Sequence, residues 1–433
     1  MNPMMSLLLE RIAQSEKKSL AENKAKQEKQ FLQLLQHARQ TVPFYQHYPD
    51  SPLDKLPILT REQIQAAGKD LMSLNIPAYM GACYTQQTSG STGKSVTVFT
   101  NDFTRLLYDA LMLREHAWHQ RDFSKKLMSI RWAKRDFAPA PLGHMQATWG
   151  APINQYKQTG TSIFINVASP TQHQIEALLH YQPSYVLSYP SQLVALAQYC
   201  LDQNLSLPFL EEVRTTGETF FEGDRFLIKK AWPQVKISDV YSCAEMGILA
   251  QQCSEYENYH VNVENVTVEI VDEKGRACLP GQAGRVLLTS LMNYTMPLIR
   301  YDIGDYAQWG QPCACERGLP VIQKILGRKR NRLILPDGSS MFPYLGELED
   351  VLNITTHIRK FQYIQHSVFD IECKLVTIAP LSAIQEEKLK KLIQDTLGYP
   401  FNVTLSYHEN IPAAPNGKFE EFISKVELAT EDF

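Results

Sequence analysis

No stretch of this sequence stays apolar for the roughly 18–20 residues that a bilayer-crossing helix needs, so a membrane-spanning protein is not expected. Charge of one sign is also scarce. The formal net charge is only −3, too little for a global field that would draw the chain to nucleic acid or anionic lipid. Eight cysteines in 433 residues do not make a disulfide framework. The N-terminal stretch lacks the basic head and small-residue cleavage site of a signal peptide, and the cytoplasm is the expected compartment. Internal repeats and low-complexity tracts are absent. What is present, 44% apolar and 21% charged residues, suits a soluble globular protein with one large and one small domain.

Leu, Glu, Lys and Gln recur with helical spacing from about Leu7 to Ala38, predicting one long helix ended by Val42-Pro43. Thr60 is placed to cap a second helix. Short β-rich runs then alternate with helical stretches. Lys126–Trp132, Thr161–Val167, Ser184–Tyr189 and Val235–Tyr241 read as strands, and Gln172–His180, Ser191–Gln203 and Gly223–Trp232 as helices. This alternation predicts an α/β fold with partly parallel sheets. Val266–Val271 and Arg285–Leu291 read as a β segment with intervening turns. A hinge is expected near Leu326–Arg330. It divides a large N-terminal domain, residues 1–326, with mixed sheets and helices, from a small mobile α+β domain, residues 327–433.

The sharpest motif is Thr88-Ser89-Gly90-Ser91-Thr92-Gly93-Lys94-Ser95. Its glycines permit tight turning and close approach to an anion, its hydroxyls and N–H groups can donate to phosphate, and Lys94 adds a cation. A P-loop of the Walker type would need glycine where Thr88 stands and a helix after the lysine, whereas Thr97-Val98-Phe99 reads as a strand. A plain Ser/Thr/Gly turn is the other reading. Further on, Tyr241-Ser242-Cys243-Ala244-Glu245-Met246-Gly247 follows a predicted strand, where α/β sheets place ligand loops. There an aromatic ring can stack on a base and a carboxylate can hold Mg²⁺.

The loop at Thr88–Ser95 resembles the phosphate loop of the adenylate-forming superfamily, in particular its phenylacetate–CoA ligase-like branch. Four further segments resemble that family's motifs in the same order: Thr215-Thr216-Gly217-Glu218-Thr219, the Tyr241–Gly247 stretch, Arg300-Tyr301-Asp302-Ile303-Gly304-Asp305, and Gly327-Arg328. Pro415-Asn416-Gly417-Lys418-Phe419 completes the series. The resemblance implies that Thr88, Ser89, Gly90, Ser91, Thr92, Gly93 and Lys94 hold the ATP phosphates. It places Gly217 and Glu218 against adenine, with Tyr241 and Ser242 beside the nucleotide. Asp305 falls on the ribose, Arg328 on ribose or phosphate, Glu245 on Mg²⁺, and Lys418 becomes the adenylation lysine. Ser95 stands where this loop usually has proline, Ala244 where a hydroxyl usually meets the α-phosphate, and Lys329-Arg330 where an acidic hinge residue is usual.

Cys253, His260, Cys313 and Cys315 supply three thiols and one imidazole, a set able to close a tetrahedral structural Zn²⁺ site. The spacing is not a standard zinc-finger pattern, and four unrelated residues remain the alternative. The function implied by the resemblance is ATP-dependent activation of a small-molecule carboxylic acid, of aryl or arylacetic type, as acyl-AMP, followed by transfer to coenzyme A. A carrier-protein phosphopantetheine is the alternative thiol. A nucleotide-binding protein without turnover, and a P-loop ATPase, stand as the other classes. Neither nucleic acid nor a membrane is an expected partner.

Overall fold

The N-terminal stretch is two helices rather than the predicted one, α1 (Pro3–Lys17) and α2 (Leu20–Thr41). Ser19 explains the break. Its hydroxyl accepts the Glu22 N–H at 3.3 Å while the Glu22 carboxylate accepts the Ser19 N–H at 2.8 Å. Such a reciprocal cap contributes about 1 kcal/mol and starts a new helix within an unbroken helical periodicity. The computed structural model describes residues 3–87, 95–133, 137–343, 345, 348–414 and 417–426. Thr60 caps α3 (Arg61–Ala67) as its sequence predicts, paired reciprocally with Gln63.

Strands β1 (Cys83–Gln87) and β2 (Thr97–Asn101) come next, then α4 (Asp102–Trp118), β3 (Leu127–Arg131), β4 (His144–Gln146) and β5 (Ser162–Asn166). An alternating run follows, with α5 (Thr171–Tyr181), β6 (Tyr185–Ser188), α6 (Pro190–Asp202), β7 (Glu212–Thr216), α7 (Glu222–Ala231) and β8 (Lys236–Cys243). Six strands succeed it: β9 (Gly247–Gln252), β10 (Tyr259–Val261), β11 (Val266–Val271), β12 (Ala283–Ser290), β13 (Tyr301–Trp309) and β14 (Val321–Arg328). The chain continues through β15 (Leu333–Ile334), β16 (Ser340–Met341), α8 (Leu348–Ile354), β17 (Ile358–Gln365), β18 (Asp370–Thr377), α9 (Ala383–Leu397), β19 (Asn402–Tyr407) and β20 (Phe422–Ser424). The fold is α/β. Among the described residues no helix is long and apolar enough to cross a membrane.

The chain packs as two compact units. The first comprises Met1–Lys125, Gln146–Ser162 and Ser238–Leu326. Its strands lie in the order β11-β12-β13-β14-β10-β9-β8, with β11 to β13 antiparallel and β8 to β10 antiparallel. Along β11, Val266, Val268 and Ile270 are buried while Thr267 and Glu269 are less so, the period-two pattern of a strand packed on one face. That face meets Leu34, Leu35, Tyr45, Leu59, Leu288 and Ile299 in one core.

The second unit comprises Lys126–Met145, Ile163–Ile237 and Gly327–Phe433. Residues 327–433 thus group with two earlier segments. In this unit β3, β6 and β7 are parallel neighbours. All four residues of β6 are buried, as befits a parallel strand covered on both faces. Met128, Ile130, Val186, Leu193, Leu196 and Trp232 form the core there. A separate sheet, β19-β18-β17-β20, packs against α9 through Leu389, Ile393 and Leu397. Arg359 of β17 pairs with Asp202 at the end of α6 at 3.1 Å.

One carboxyl of α4 is set against its surroundings. Asp109 accepts a hydrogen bond from the Tyr156 hydroxyl at 3.2 Å, yet burial pushes its pKa up to about 6. A raised carboxyl pKa penalises the folded state once the group ionises, so the stability it contributes is full below about pH 4 and is lost as pH rises through about 6. Asp109→Asn is therefore expected to melt above the parent protein at about pH 8, with the gap closing towards about pH 4. Thermal unfolding followed at both pH values checks this.

Candidate functional site

Thr88, Ser89, Gly90, Ser91, Thr92, Gly93 and Lys94 lie outside the described residues. The strands on either side pair antiparallel, with Gln87 opposite Thr97. The element after this motif is therefore a strand, not the helix that follows a Walker loop.

Within the first unit, β8, β9 and β13 bring three predicted residues into hydrogen-bond relations. The Tyr241 hydroxyl donates to Asp305 Oδ2 at 2.9 Å, joining the expected adenine-stacking ring to the expected ribose carboxylate. Ser242 follows Tyr241 on β8, partly exposed. Glu245, only 6% exposed, accepts from the Tyr301 hydroxyl at 3.2 Å and has the Arg61 guanidinium 3.7 Å from the same oxygen. β13 owes its start to Arg300, a non-glycine residue in the left-handed region (φ 50°). Such a conformation persists only where its surroundings over-determine it. Here Arg300 donates to Glu269, to the Leu56 carbonyl at 2.6 Å, and through its own N–H to Thr289 Oγ1. The Leu59 N–H and carbonyl then bind the Arg300 carbonyl and the Asp302 N–H.

Within the second unit, parallel register aligns Ile130 of β3 with Ser188 of β6, and Ser188 with Thr215 of β7. The carboxyl ends of these adjacent strands are where open α/β sheets bind ligands. The segments Arg131-Trp132, Ser188–Ser191 and Thr215–Glu218 leave the sheet there. Lys418 arrives at the same place. A Cβ on Gly217 would stand 3.2 Å from Lys418 Cε, 3.4 Å from its Nζ and 3.4 Å from Tyr189 Cε1. A Cβ on Gly417 would meet Val167 Cγ1 at 2.9 Å, Tyr189 Cε2 at 3.5 Å and Trp132 Cβ at 3.6 Å. Lys418 therefore lies across Gly217 with the Tyr189 ring beside it. Glu218 turns its carboxylate to two backbone amides, those of Ser191 at 3.0 Å and Phe419 at 2.6 Å. Gly327 sits beside Thr219 and Asn331, and the Arg328 N–H donates to Asn331 Oδ1 at 2.8 Å. Arg330 is ion-paired to Glu420, two residues beyond Lys418.

The four sulfur and nitrogen ligands of the expected metal site, all in the first unit, do come together. Donor atoms of Cys253, His260, Cys313 and Cys315 all lie within 4.8 Å of one another. Cys315 Sγ is 3.2 Å from His260 Nε2, and Cys313 Sγ is 3.9 Å from Cys253 Sγ. Sulfur atoms about 3.7 Å apart are what a tetrahedron with Zn–S bonds near 2.3 Å requires, so the set fits Zn²⁺. The loop bearing Cys313 and Cys315 is fastened to the N-terminal helices. The Gly318 N–H donates to the Glu16 carbonyl, and Asn23 Nδ2 donates to the Gly318 carbonyl at 2.7 Å. A Cβ on Gly318 would fall 1.5 Å from the Lys18 carbonyl oxygen, so only glycine fits that approach.

Against solved structures, the chain superposes on 2-hydroxyisobutyryl-CoA ligase in complex with 2-HIB-AMP. The TM-score is 0.73 at 18% identity, over 95% of this chain and 91% of that one. This protein has the adenylate-forming ligase fold. Among curated proteins, this chain is 23% identical to Protein CapK of Staphylococcus aureus, over 76% of this chain and 72% of the relative. It is 24% identical to the phenylacetate-coenzyme A ligase of Thermus thermophilus, over 58% of this chain and 63% of that enzyme's length. Residues 344–425 match the CapK C-terminal domain.

Some contacts of this adenylate-forming scaffold escaped the sequence reading. Tyr301 lies inside a quoted motif, yet nothing local says that its hydroxyl meets Glu245. Arg61 was legible only as the first residue of a capped helix. Trp149 packs against His116 and Phe123 in the first unit and donates to the Lys125 carbonyl at 2.8 Å. Gly217 is in the left-handed region at φ 83°, with Lys418 close above it. Gly217→Ala is expected to lose about 1–2 kcal/mol from left-handed strain alone, measured by denaturant unfolding, and to push Lys418 from its place.

Proposed function

We propose that this protein is an ATP-dependent acid–thiol ligase that forms an acyl-AMP from a carboxylic acid and passes the acyl group to coenzyme A. The observation that carries the reading is Lys418 lying over Gly217 at the carboxyl ends of β3, β6 and β7. The ligase names of the Thermus thermophilus relative and of the solved structure add support. In the first half-reaction the substrate carboxylate attacks the α-phosphorus of ATP in line, forming the acyl–phosphate bond as pyrophosphate leaves. Lys418 supplies positive charge where negative charge grows on the phosphoryl and carboxylate oxygens. The segment Thr88–Lys94 carries the donors for the outer phosphates, and Asp305, oriented by Tyr241, accepts from ribose hydroxyls. By the family resemblance Tyr241 and Ser242 are assigned to the base, as separately is Gly217, and Arg328 to the ribose or phosphates.

Mg²⁺ neutralises the phosphate oxygens when bound. The buried Glu245 carboxylate, one oxygen held by Tyr301, fits the single protein carboxylate that this hard cation usually takes alongside substrate phosphates. In the second half-reaction the thiol sulfur attacks the acyl carbonyl and AMP leaves with the acyl–phosphate electrons. Trp132 and Tyr189, near Gly417, favour a flat aryl or arylacetic acid. The Cys253, His260, Cys313 and Cys315 set is assigned a structural Zn²⁺.

The test is acid-dependent ATP–pyrophosphate exchange across aromatic and aliphatic acids, with AMP and coenzyme A thioester measured in the same mixtures. Exchange with one acid class is expected. Lys418→Ala should lower it by about a hundredfold or more while the protein still folds. Undiminished exchange in that variant would remove Lys418 from the mechanism, and thioester formed only on a carrier protein would change the acceptor. Elemental analysis of the purified protein should find about one zinc per chain, falling towards none in Cys313→Ser together with a lower melting temperature. Full thermal stability after chelation to zero zinc would overturn the metal assignment.

A further inference from the structure

Glu218 does something that its place in a nucleotide motif does not call for. It leaves β7 immediately after Gly217, and its two carboxylate oxygens serve different parts of the second unit. Oε2 accepts the Ser191 N–H at 3.0 Å, in the first turn of α6. Oε1 accepts the Phe419 N–H at 2.6 Å. Phe419 is the residue directly after Lys418, and it is fastened in two further ways. Its ring is buried, and the Lys360 ammonium lies 3.9 Å from the ring centroid while donating to the Ile411 carbonyl at 2.8 Å. The turn before it closes through the Ala414 N–H on the Lys418 carbonyl at 2.8 Å. Asp224 of α7 and Glu421, next to β20, complete the surrounding charges with Lys360 and Lys418.

We propose that Glu218 is the positioning residue for Lys418: a single carboxylate bridges the start of α6 and the amide that follows the lysine, and so sets where the lysine stands during adenylation. This rests on the reading of Lys418 as the adenylating cation. An N–H on a carboxylate is a charge-assisted bond, and one on each oxygen ties the start of α6 and the residue after Lys418 to the same side chain. The distance between strand end and lysine loop is then decided by one side chain. A carboxylate one methylene shorter cannot span both amides, and a carboxamide, with one acceptor and one donor end, cannot accept both.

Amide exchange on the protein alone, with no acid or nucleotide, tests the clamp through peptides covering 417–426. Glu218→Gln and the charge-keeping Glu218→Asp are both expected to exchange about tenfold faster there, with α5 unchanged as the internal control. With an acid found by the exchange panel, both variants should lower kcat for pyrophosphate exchange about tenfold, a larger fall than in thioester formation from supplied acyl-AMP. Parental protection at 417–426 in both variants would overturn the proposal. So would an equal fall in the adenylation and thioester steps, which is what a general loss of structure produces. Wild-type protein silent with every acid would count against the ligase reading, while amide exchange still decides the clamp.

Discussion

The reversal of the chain after β7 is the constraint on which the lysine site depends. Gly217 takes up a left-handed conformation, which lets the strand end turn without a side chain in the way. That absence of a side chain is the space across which Lys418 lies, and the very next residue supplies the carboxylate that holds the lysine's neighbour. Conformation, clearance and attachment are thus met by two consecutive residues. The aligned ends of β3, β6 and β7 give this turn its footing, because in parallel register the strand ends cannot slide without exposing buried residues on both faces.

The first unit solves a similar problem by different means. There Tyr301 and Asp305 sit on a strand that begins after a left-handed arginine, not a glycine. Arg300 accepts the strained conformation because its guanidinium and its backbone are both tied down, to Glu269, Leu56, Thr289 and Leu59. The reward is a fixed beginning for β13, from which Tyr301 reaches Glu245 and Asp305 meets Tyr241. A glycine at 300 would ease the backbone but lose the guanidinium's hold on Glu269 and the Leu56 carbonyl.

Much of the architecture was legible because burial leaves a periodic trace. β11 occupies the residues that its alternation predicts, and the helices around β6 and β7 fall within a residue or two of expectation. The break at Ser19 was overlooked because serine, leucine and glutamate continue a helical pattern even where serine's side chain restarts it. The grouping of 126–145 and 163–237 with the C-terminal residues was invisible for another reason. Pairs such as Asp202–Arg359 and Glu218–Phe419 join residues whose local sequence carries no sign of each other. The four metal-type ligands were legible as chemistry, while their convergence depended on β10 and the loop before β14 meeting in space.

The close approach of Gly318 to Lys18 has a consequence for how the chain reaches its native state. The hydrogen bond from Asn23 to Gly318 joins residues separated by 295 positions. Closing so long a loop is entropically slow, and contacts of this span form only after local structure has condensed. During synthesis α2 emerges well before the core residues between 241 and 322 that cover Phe31, Leu34 and Leu35. The cysteine-bearing loop therefore arrives as a late fastener. Until it docks, the apolar face of α2 is open surface that a chaperone could cover.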